Sequence, residues 1–278
     1  MQAALESAIA ELVLGSEIDL SRPELVRAWL TRHGVGADDV EAIAKDGAER
    51  WLTYRRLVRY TLREALELAM PRAIARLGAR FDHYFDRFLL ERAPRSHYLR
   101  AVTQEFLDWS EKEWRFDAAV PPFIPELARH ESLRIEIGAM PAAPPAREPH
   151  ALELDRSVLF TEAMRIVHYR YKVHELMDSL EDRSVPEAAE TDLLVYRSPE
   201  HEVRYLELTP LAAAILERLS RGRNLRQSLR EACEDANVPL SSSVIDGAAR
   251  LLSDLATRGV LLGAKPITLS RGKDGQDD

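Results

Sequence analysis

Three ionisable side chains at helical spacing are the first candidates for chemistry in this sequence. They lie in the stretch PPFIPELARHE, where Glu126 and His130 are four residues apart and Glu131 follows directly. Residues four apart share one helix face, so this pair could bind a metal or exchange protons. A zinc or iron site needs three or four ligands, and no HExxH motif or comparable second histidine–carboxylate pair accompanies these residues. The sequence favours a helix that starts near Pro125, with Glu126, His130 and Glu131 predicted as a partner interface.

The other reactive side chains do not combine into a catalytic set. Ser96 and His97 are neighbours in the chain, so on a helix they point in different directions, and Ser96 is predicted to be a helix N-cap instead. Cys233 is the single cysteine and lies inside a predicted helix as a small, semi-buried residue. The sequence contains no GxSxG, GxGxxG or P-loop motif. We therefore expect no catalytic residue, no metal site and no enzyme activity in this chain.

Composition is that of a globular protein with no membrane span. The 278 residues are 46% hydrophobic and 30% charged, and no apolar run approaches the roughly 20 residues that cross a bilayer. The apolar N-terminal stretch carries Glu6 and Glu11, which indicates an amphipathic helix rather than a signal peptide. One cysteine excludes an intramolecular disulfide. The net charge of −8 argues against a main role in nucleic-acid binding, and we expect a cytoplasmic protein.

The first half of the chain has a helical period and no convincing strand. Apolar residues recur at three- and four-residue steps in successive segments separated by proline or glycine, which predicts six or seven helices packed as a bundle. Gly78 is expected to end one helix. The side chains predicted to face the core of this bundle are Leu57, Val58, Leu62, Leu66, Ala69, Phe81, Phe85, Phe88, Leu89, Leu99, Val102, Phe106 and Trp109.

The second half changes character and predicts a smaller α/β domain. Two strand-like runs flank a turn at residues 198–201, which is a hairpin signal, and a further strand-like run is RIVHYRYKV. Three helices follow, the first two with Thr209 and Asn224 as predicted N-caps, and a short strand ends the domain at 260–262. This order resembles a winged helix. The fold class is therefore mainly α, with an N-terminal helical bundle followed by a winged-helix-like α/β domain that carries a β-hairpin.

Five segments are predicted along the chain. They are an N-terminal helical extension at 1–48, the helical bundle at 49–140, a Pro- and Ala-rich linker at 141–150, the winged-helix-like domain at 151–268 and a disordered tail at 269–278.

Two binding surfaces are possible in the second domain. An exposed hairpin edge can accept a peptide as an added strand, and the residues predicted for this role are Leu193, Leu194, Val195, Tyr196, Arg197, Val203, Tyr205 and Leu206. The sequence does not decide which edge is available. Alternatively, a cluster of arginines could contact DNA: Arg218, Arg221, Arg223, Arg226 and Arg230. The helix expected to read bases offers Arg250 and Arg258 against Asp246 and Asp254, which favours a solvated face of mixed charge.

A family resemblance runs from about Glu49 to Leu262. Its pattern is a Tyr-Arg helix, a Pro-containing helix ending Leu-Gly, a Pro-x-Ser turn, and a helix with proline, leucine and glutamate at fixed spacing. The hairpin followed by a helix and the ending L-x-x-L-x-x-x-G-V-L also match. In these features the sequence resembles the HvfC/BufC family. The matching bundle residues are Tyr54, Arg55, Pro71, Leu77, Gly78, Phe81, Pro94, Ser96, Phe106, Pro125, Leu127, Ala128 and Glu131.

The resemblance implies a partner subunit without a cofactor of its own. Members of this family bind multinuclear iron-dependent oxidases that modify ribosomally made peptides, as the methanobactin partner subunit does, and the iron is expected in the oxidase. The expected partners are such an oxidase and the leader of a short precursor peptide. The family has also been described as DNA-binding, so the alternative is a winged-helix-like transcriptional regulator. The acidic segment before Glu49 departs from the commoner members, and the sequence does not assign it a role.

Overall fold

The computed structural model describes residues 2–14, 18–45, 48–96, 98–141 and 152–264. Eleven α-helices and five strands lie in this part of the chain, so the mainly α prediction is confirmed. Most of the predicted linker, 142–150, and the predicted tail, 269–278, lie outside the described residues. None of the helices described is both long enough and apolar enough to cross a membrane.

The chain divides into two compact units whose boundaries differ from the predicted domains. Unit 1 comprises residues 1–135 together with 173–187, and unit 2 comprises 136–172 together with 188–278. The predicted extension therefore belongs to the helical unit. A segment from the second half of the sequence, residues 173–187, also belongs to unit 1, and we refer to it as the strap.

In the part of the chain that the structure describes, eight helices precede the first strand. They are α1 Gln2–Leu14, α2 Pro23–Arg32, α3 Ala37–Lys45, α4 Ala48–Ala69, α5 Pro71–Leu77, α6 Ala79–Glu91, α7 Leu99–Trp114 and α8 Ile124–Ala139. Pro23 and Pro71 each occupy the first turn of a helix, where the missing N–H costs nothing. Gly78 ends α5 and begins α6 with φ of 56°, a backbone conformation that glycine adopts without strain.

Helices α1 to α3 form a hydrophobic cluster with the start of α4. Its buried side chains are Ala8, Leu12, Leu20, Val26, Leu30, Val35, Val40 and Ile43, and Trp29, Trp51 and Leu52 pack against them. The guanidinium of Arg55 on α4 donates to the carbonyl of Leu12 at 2.6 Å and 3.1 Å. The end of α1 is thus tied to α4 through a carbonyl near the helix C-terminus.

Aromatic side chains fill the space between α6 and α7. Phe81, Phe85, Phe88 and Leu89 are buried as predicted, and so are Val102 and Phe106. Two of the predicted core residues are exposed instead, namely Leu57 at 59% and Leu99 at 46%. Both lie at the rim of an apolar stripe, where periodicity alone cannot say which side chain the neighbouring helix covers. The predicted cap is also corrected, since α7 begins at Leu99 with Tyr98 as N-cap and Ser96 lies before it.

Unit 2 holds the five strands and the last three helices. The strands are β1 Val158–Phe160, β2 Met164–Tyr169, β3 Thr191–Arg197, β4 Val203–Leu208 and β5 Leu261–Ala264, and the helices are α9 Pro210–Ser220, α10 Leu225–Asp235 and α11 Ser242–Thr257. Thr209 and Asn224 accept hydrogen bonds from the N–H groups of Ala212 and Gln227, as N-caps do, which confirms both predicted caps. Strand β1 was not predicted. It has three residues and pairs with β5, about a hundred positions away.

Strands β2, β3 and β4 form an antiparallel sheet in that order. Alternate residues of the sheet, among them Met164, Leu194, Tyr196 and Leu208, face a core that they share with the last three helices. The predicted turn closes β3 and β4. His201 adopts a φ of 67° in this turn, and its N–H donates to the carbonyl of Ser198 at 2.9 Å. This is a three-residue hairpin loop with one left-handed position.

Candidate functional site

Glu131 caps the start of α5 and is not available for catalysis. Its two carboxylate oxygens accept the backbone N–H groups of Arg72 at 3.0 Å and Ala73 at 2.9 Å. Pro71 begins α5, so these are among the first N–H groups of the helix and have no partner within it. The Nε of Arg72 also donates to Glu131 at 3.0 Å, and the two side chains are only 10% and 6% exposed. The predicted helix therefore carries a structural carboxylate.

The strap is held against the helical unit by the same group of side chains. Nη1 of Arg72 donates to the carbonyls of Leu176 at 3.1 Å and Met177 at 3.2 Å. One turn along α5, Arg76 pairs with Asp182 at 2.8 Å, with side chains 4% and 10% exposed. Charged groups this deeply buried are stable only when they are paired. The backbone of the strap is thus fixed at two points by buried guanidinium groups.

His130 is a buried neutral histidine. It is 6% exposed, and burial, followed by the nearby charges of Arg72 and His174, lowers its pKa to about 4. A histidine with this pKa does not exchange protons near neutral pH as a general base or acid would need to. Because His130 and Glu131 are buried, they cannot form a surface that a partner touches, and only the half-buried Glu126 remains from the predicted interface.

No other arrangement for metal or thiol chemistry is evident in the residues that the structure describes. Among them, no three histidine, cysteine, aspartate or glutamate side chains lie where they could hold one metal ion. Cys233 is 2% exposed, as a packing residue of α10.

The predicted hairpin is present, and among the described residues only one of its strands lies at an edge of the sheet. Strand β3 pairs with β2 on one side and with β4 on the other. Its main-chain groups are therefore occupied, and an incoming peptide cannot pair with the predicted residues Leu193, Leu194, Val195, Tyr196 and Arg197. From the predicted peptide site, Val203 and Tyr205 on β4 remain, whereas Leu206 pairs with Leu194 and packs against the core. The sequence placed two strands here and could not show that a third, β2, covers the far side of β3.

The direction of the main-chain groups on β4 follows from the turn. The N–H of Ser198 donates to the carbonyl of Glu202 at 2.8 Å, so these two residues form a hydrogen-bonded pair. Such pairs alternate along an antiparallel ladder, which turns the N–H and C=O of Val203, Tyr205 and Glu207 away from β3. The N–H of Arg197 agrees with this pattern, since it donates to Ala163 beside β2 at 3.0 Å.

The two edge strands differ in exposure. Arg204, Tyr205 and Glu207 are exposed on β4, whereas His168 is the one exposed residue of β2. On β2, the carbonyl of Met164 also accepts from the guanidinium of Arg165 at 2.8 Å. Strand β4 is therefore the more accessible edge for an added strand.

The arginine cluster of the DNA-binding alternative is largely neutralised by ion pairs. Arg218 pairs with Glu231 and Asp235, and the same helices contain the pairs Arg221–Glu217 and Arg230–Glu234. Arg226 pairs with Asp155 at 2.7 Å, and Arg258, directly after the third helix, pairs with Asp254 at 2.7 Å. Phosphate binding requires cations that can exchange counterions for DNA, and cations already paired with carboxylates serve this purpose poorly. The geometry favours the solvated mixed-charge face.

A histidine links the sheet to α9. Nδ1 of His168 lies 2.5 Å from Asp192 on β3, and Nε2 lies 2.7 Å from Glu217, which also pairs with Arg221 at 3.2 Å. Both ring nitrogens face carboxylates, so the protonated imidazole is favoured. Hydrogen bonds to Glu217 first, and then to Asp192, raise the pKa of His168 above its ordinary value.

We expect the stability of unit 2 to fall as this histidine loses its proton. A raised pKa in the folded state contributes stability that is fully present below the unfolded value of about 6.5 and is lost as pH rises through the folded pKa. Urea unfolding across this range, followed for the wild type and His168→Gln, measures the effect. The stability difference between the two proteins should shrink with rising pH. A difference that stays constant would contradict the prediction.

Sequence reasoning missed Arg72, Arg76, Asp182 and His168 as interacting residues. The bonded partners are separated by 59 positions for Arg72 and Glu131 and by 106 positions for Arg76 and Asp182. A local pattern of residue types carries no signal for pairs so far apart.

One comparison with known proteins gives a match. Residues 161–256 match the family model described as the HvfC C-terminal domain. The matched region runs from just after β1 into α11 and includes the strap and the hairpin. No curated protein matches the chain.

Proposed function

Because this chain belongs to the HvfC family through its C-terminal domain, we propose that it is a non-catalytic partner subunit of a peptide-modifying oxidase. In this role it binds a multinuclear iron-dependent oxidase and the leader segment of a ribosomally made precursor peptide. The oxidase holds the iron and carries out the chemistry. This chain contributes binding surfaces, and it works in the cytoplasm.

The observation that carries the peptide-binding part is the accessible edge of β4. Its outward main-chain groups at Val203, Tyr205 and Glu207 have the spacing that an extended peptide matches when it adds a strand. Each main-chain hydrogen bond contributes about 0.5 to 1.5 kcal/mol, so a few of them supply substantial affinity with little sequence demand. The neighbouring exposed side chains, Arg204 and Tyr205, are positioned to select among peptides.

A proline on the outward side of β4 tests the edge directly. Glu207→Pro removes an N–H that points away from β3, so it should spare the β3–β4 ladder and weaken an added strand. The proposed function predicts a precursor-peptide gene beside this gene. We expect the leader segment of that peptide to bind about tenfold more weakly to this variant, as measured by calorimetric titration.

The matched control is Ile166→Pro, which removes an outward N–H from the opposite edge strand, β2. Circular dichroism and thermal midpoints verify that both variants are folded. If Glu207→Pro and the wild type bind the leader peptide with equal affinity, the proposal that the peptide pairs with β4 is wrong. If only Ile166→Pro weakens peptide binding, the peptide pairs with β2 instead of β4.

A further inference from the structure

The outer side of the strap presents apolar side chains to solvent. Met177, Leu180 and Val185 are 69%, 55% and 75% exposed, and they lie within nine residues of one another. Single exposed apolar residues are common, but three large ones on a short segment without helix or sheet structure indicate a contact surface.

The inner side of the strap holds these side chains in a defined place. Buried Arg72 binds the carbonyls of Leu176 and Met177, and buried Arg76 binds Asp182, as described above. Asp182 also accepts the N–H of Ser184 at 2.9 Å and its hydroxyl at 2.8 Å, which fixes the turn before Val185. A segment ordered in advance loses less conformational entropy when it binds.

The charged residues of the strap indicate which kind of partner can bind its outer side. Residues 177–185 contain three carboxylates and one basic residue, Arg183, and one of these carboxylates, Asp182, pairs with Arg76. Asp178 and Glu181 are exposed between the apolar side chains. These two exposed carboxylates disfavour nucleic acid and anionic lipid as partners. A second copy would bring the same acidic strap, on a chain of net charge −8. A basic protein surface with apolar pockets is the complementary partner.

We propose that the outer side of the strap, Met177 to Val185, is the docking surface for a basic face of the oxidase. This inference rests on the proposed function, because it takes the oxidase as the partner. The apolar side chains fill pockets on that face, and Asp178 and Glu181 pair with its cations. Buried Arg72 and Arg76 act as positioning residues that hold the strap in its binding conformation.

The proposed function predicts an oxidase gene beside this gene, and binding of that purified oxidase tests the surface. The full-length variant Met177→Ser/Leu180→Ser/Val185→Ser changes only exposed side chains, and we expect its Kd to rise at least about tenfold. The matched control is Leu57→Ser/Leu68→Ser, which alters two side chains exposed by 59% and 69% on α4. Its Kd should stay within about twofold of the wild type.

The charge-reversal variant Asp178→Lys/Glu181→Lys provides a second test that leaves the apolar residues in place. It should also weaken binding, and the loss should diminish at high salt. If the wild type binds the oxidase and both strap variants bind it equally well, the surface is wrong and the proposed function stands. If the wild type does not bind the oxidase at all, the proposed function fails and the docking surface falls with it.

Discussion

Glu131→Gln is expected to lower the free energy of unfolding by about 3 to 5 kcal/mol. The carboxylate accepts two N–H groups at the start of α5 and pairs with Arg72, all in a buried setting. The amide removes the negative charge and replaces one acceptor with a donor. Arg72 then remains buried without its counter-ion, which costs much more than the pair itself contributes. Urea unfolding monitored by far-ultraviolet circular dichroism measures the change.

A glutamate on the surface supplies the control. Glu64→Gln alters an exposed side chain of α4 and should change stability by no more than about 0.5 kcal/mol. The double variant Arg72→Met/Glu131→Gln removes both charges and keeps an acceptor at the start of α5, so it should be more stable than Glu131→Gln, because no buried charge is left alone. Near-equal stabilities of Glu131→Gln and the wild type would show that the network contributes little.

Phe106→Ala should cost about 3 to 5 kcal/mol by leaving a cavity in the helical unit. The ring is fully buried on α7, with its centroid 5.3 Å from that of Phe88 and 6.0 Å from those of Phe81 and Trp114. The surrounding rings are themselves packed on two helices and cannot easily collapse into the space. Thermal or urea unfolding gives the difference.

Phe116→Ala is the matched substitution for this test, because the Phe116 ring is 86% exposed. It removes the same atoms from a surface position, so its effect should stay within about 0.5 kcal/mol. If both variants lost the same stability, the aromatic cluster could not be the core of this unit.

The features that could be predicted from the sequence are those that depend on residues close together in the chain. The buried faces of α6 and α7, the caps at Thr209 and Asn224, and the β3–β4 turn all depend on residues within a few positions of one another. Their patterns can be read along the chain. The prediction that Leu57 faces the core was wrong, because a stripe of apolar residues does not reveal how much of it the neighbouring helix covers.

The candidate site was less predictable than the fold. The sequence predicts an exposed polar face at Glu126, His130 and Glu131. Only the tertiary structure shows that Arg72 and His174 lie beside it. The hairpin residues were found, but the third strand that makes β3 central is joined to it through the strap and was not assigned a place in the sheet.

The sequence by itself determined the helical half, the strand-and-helix order of the second half and the family resemblance, because these depend on local periodicity, caps and turns. Only the tertiary structure decided which polar groups are buried, which strand is an edge and where residues 173–187 pack. Those outcomes depend on contacts between residues far apart in the chain. Glu131 is an example, because once it is buried it must accept the N–H groups at the start of α5 and pair with Arg72.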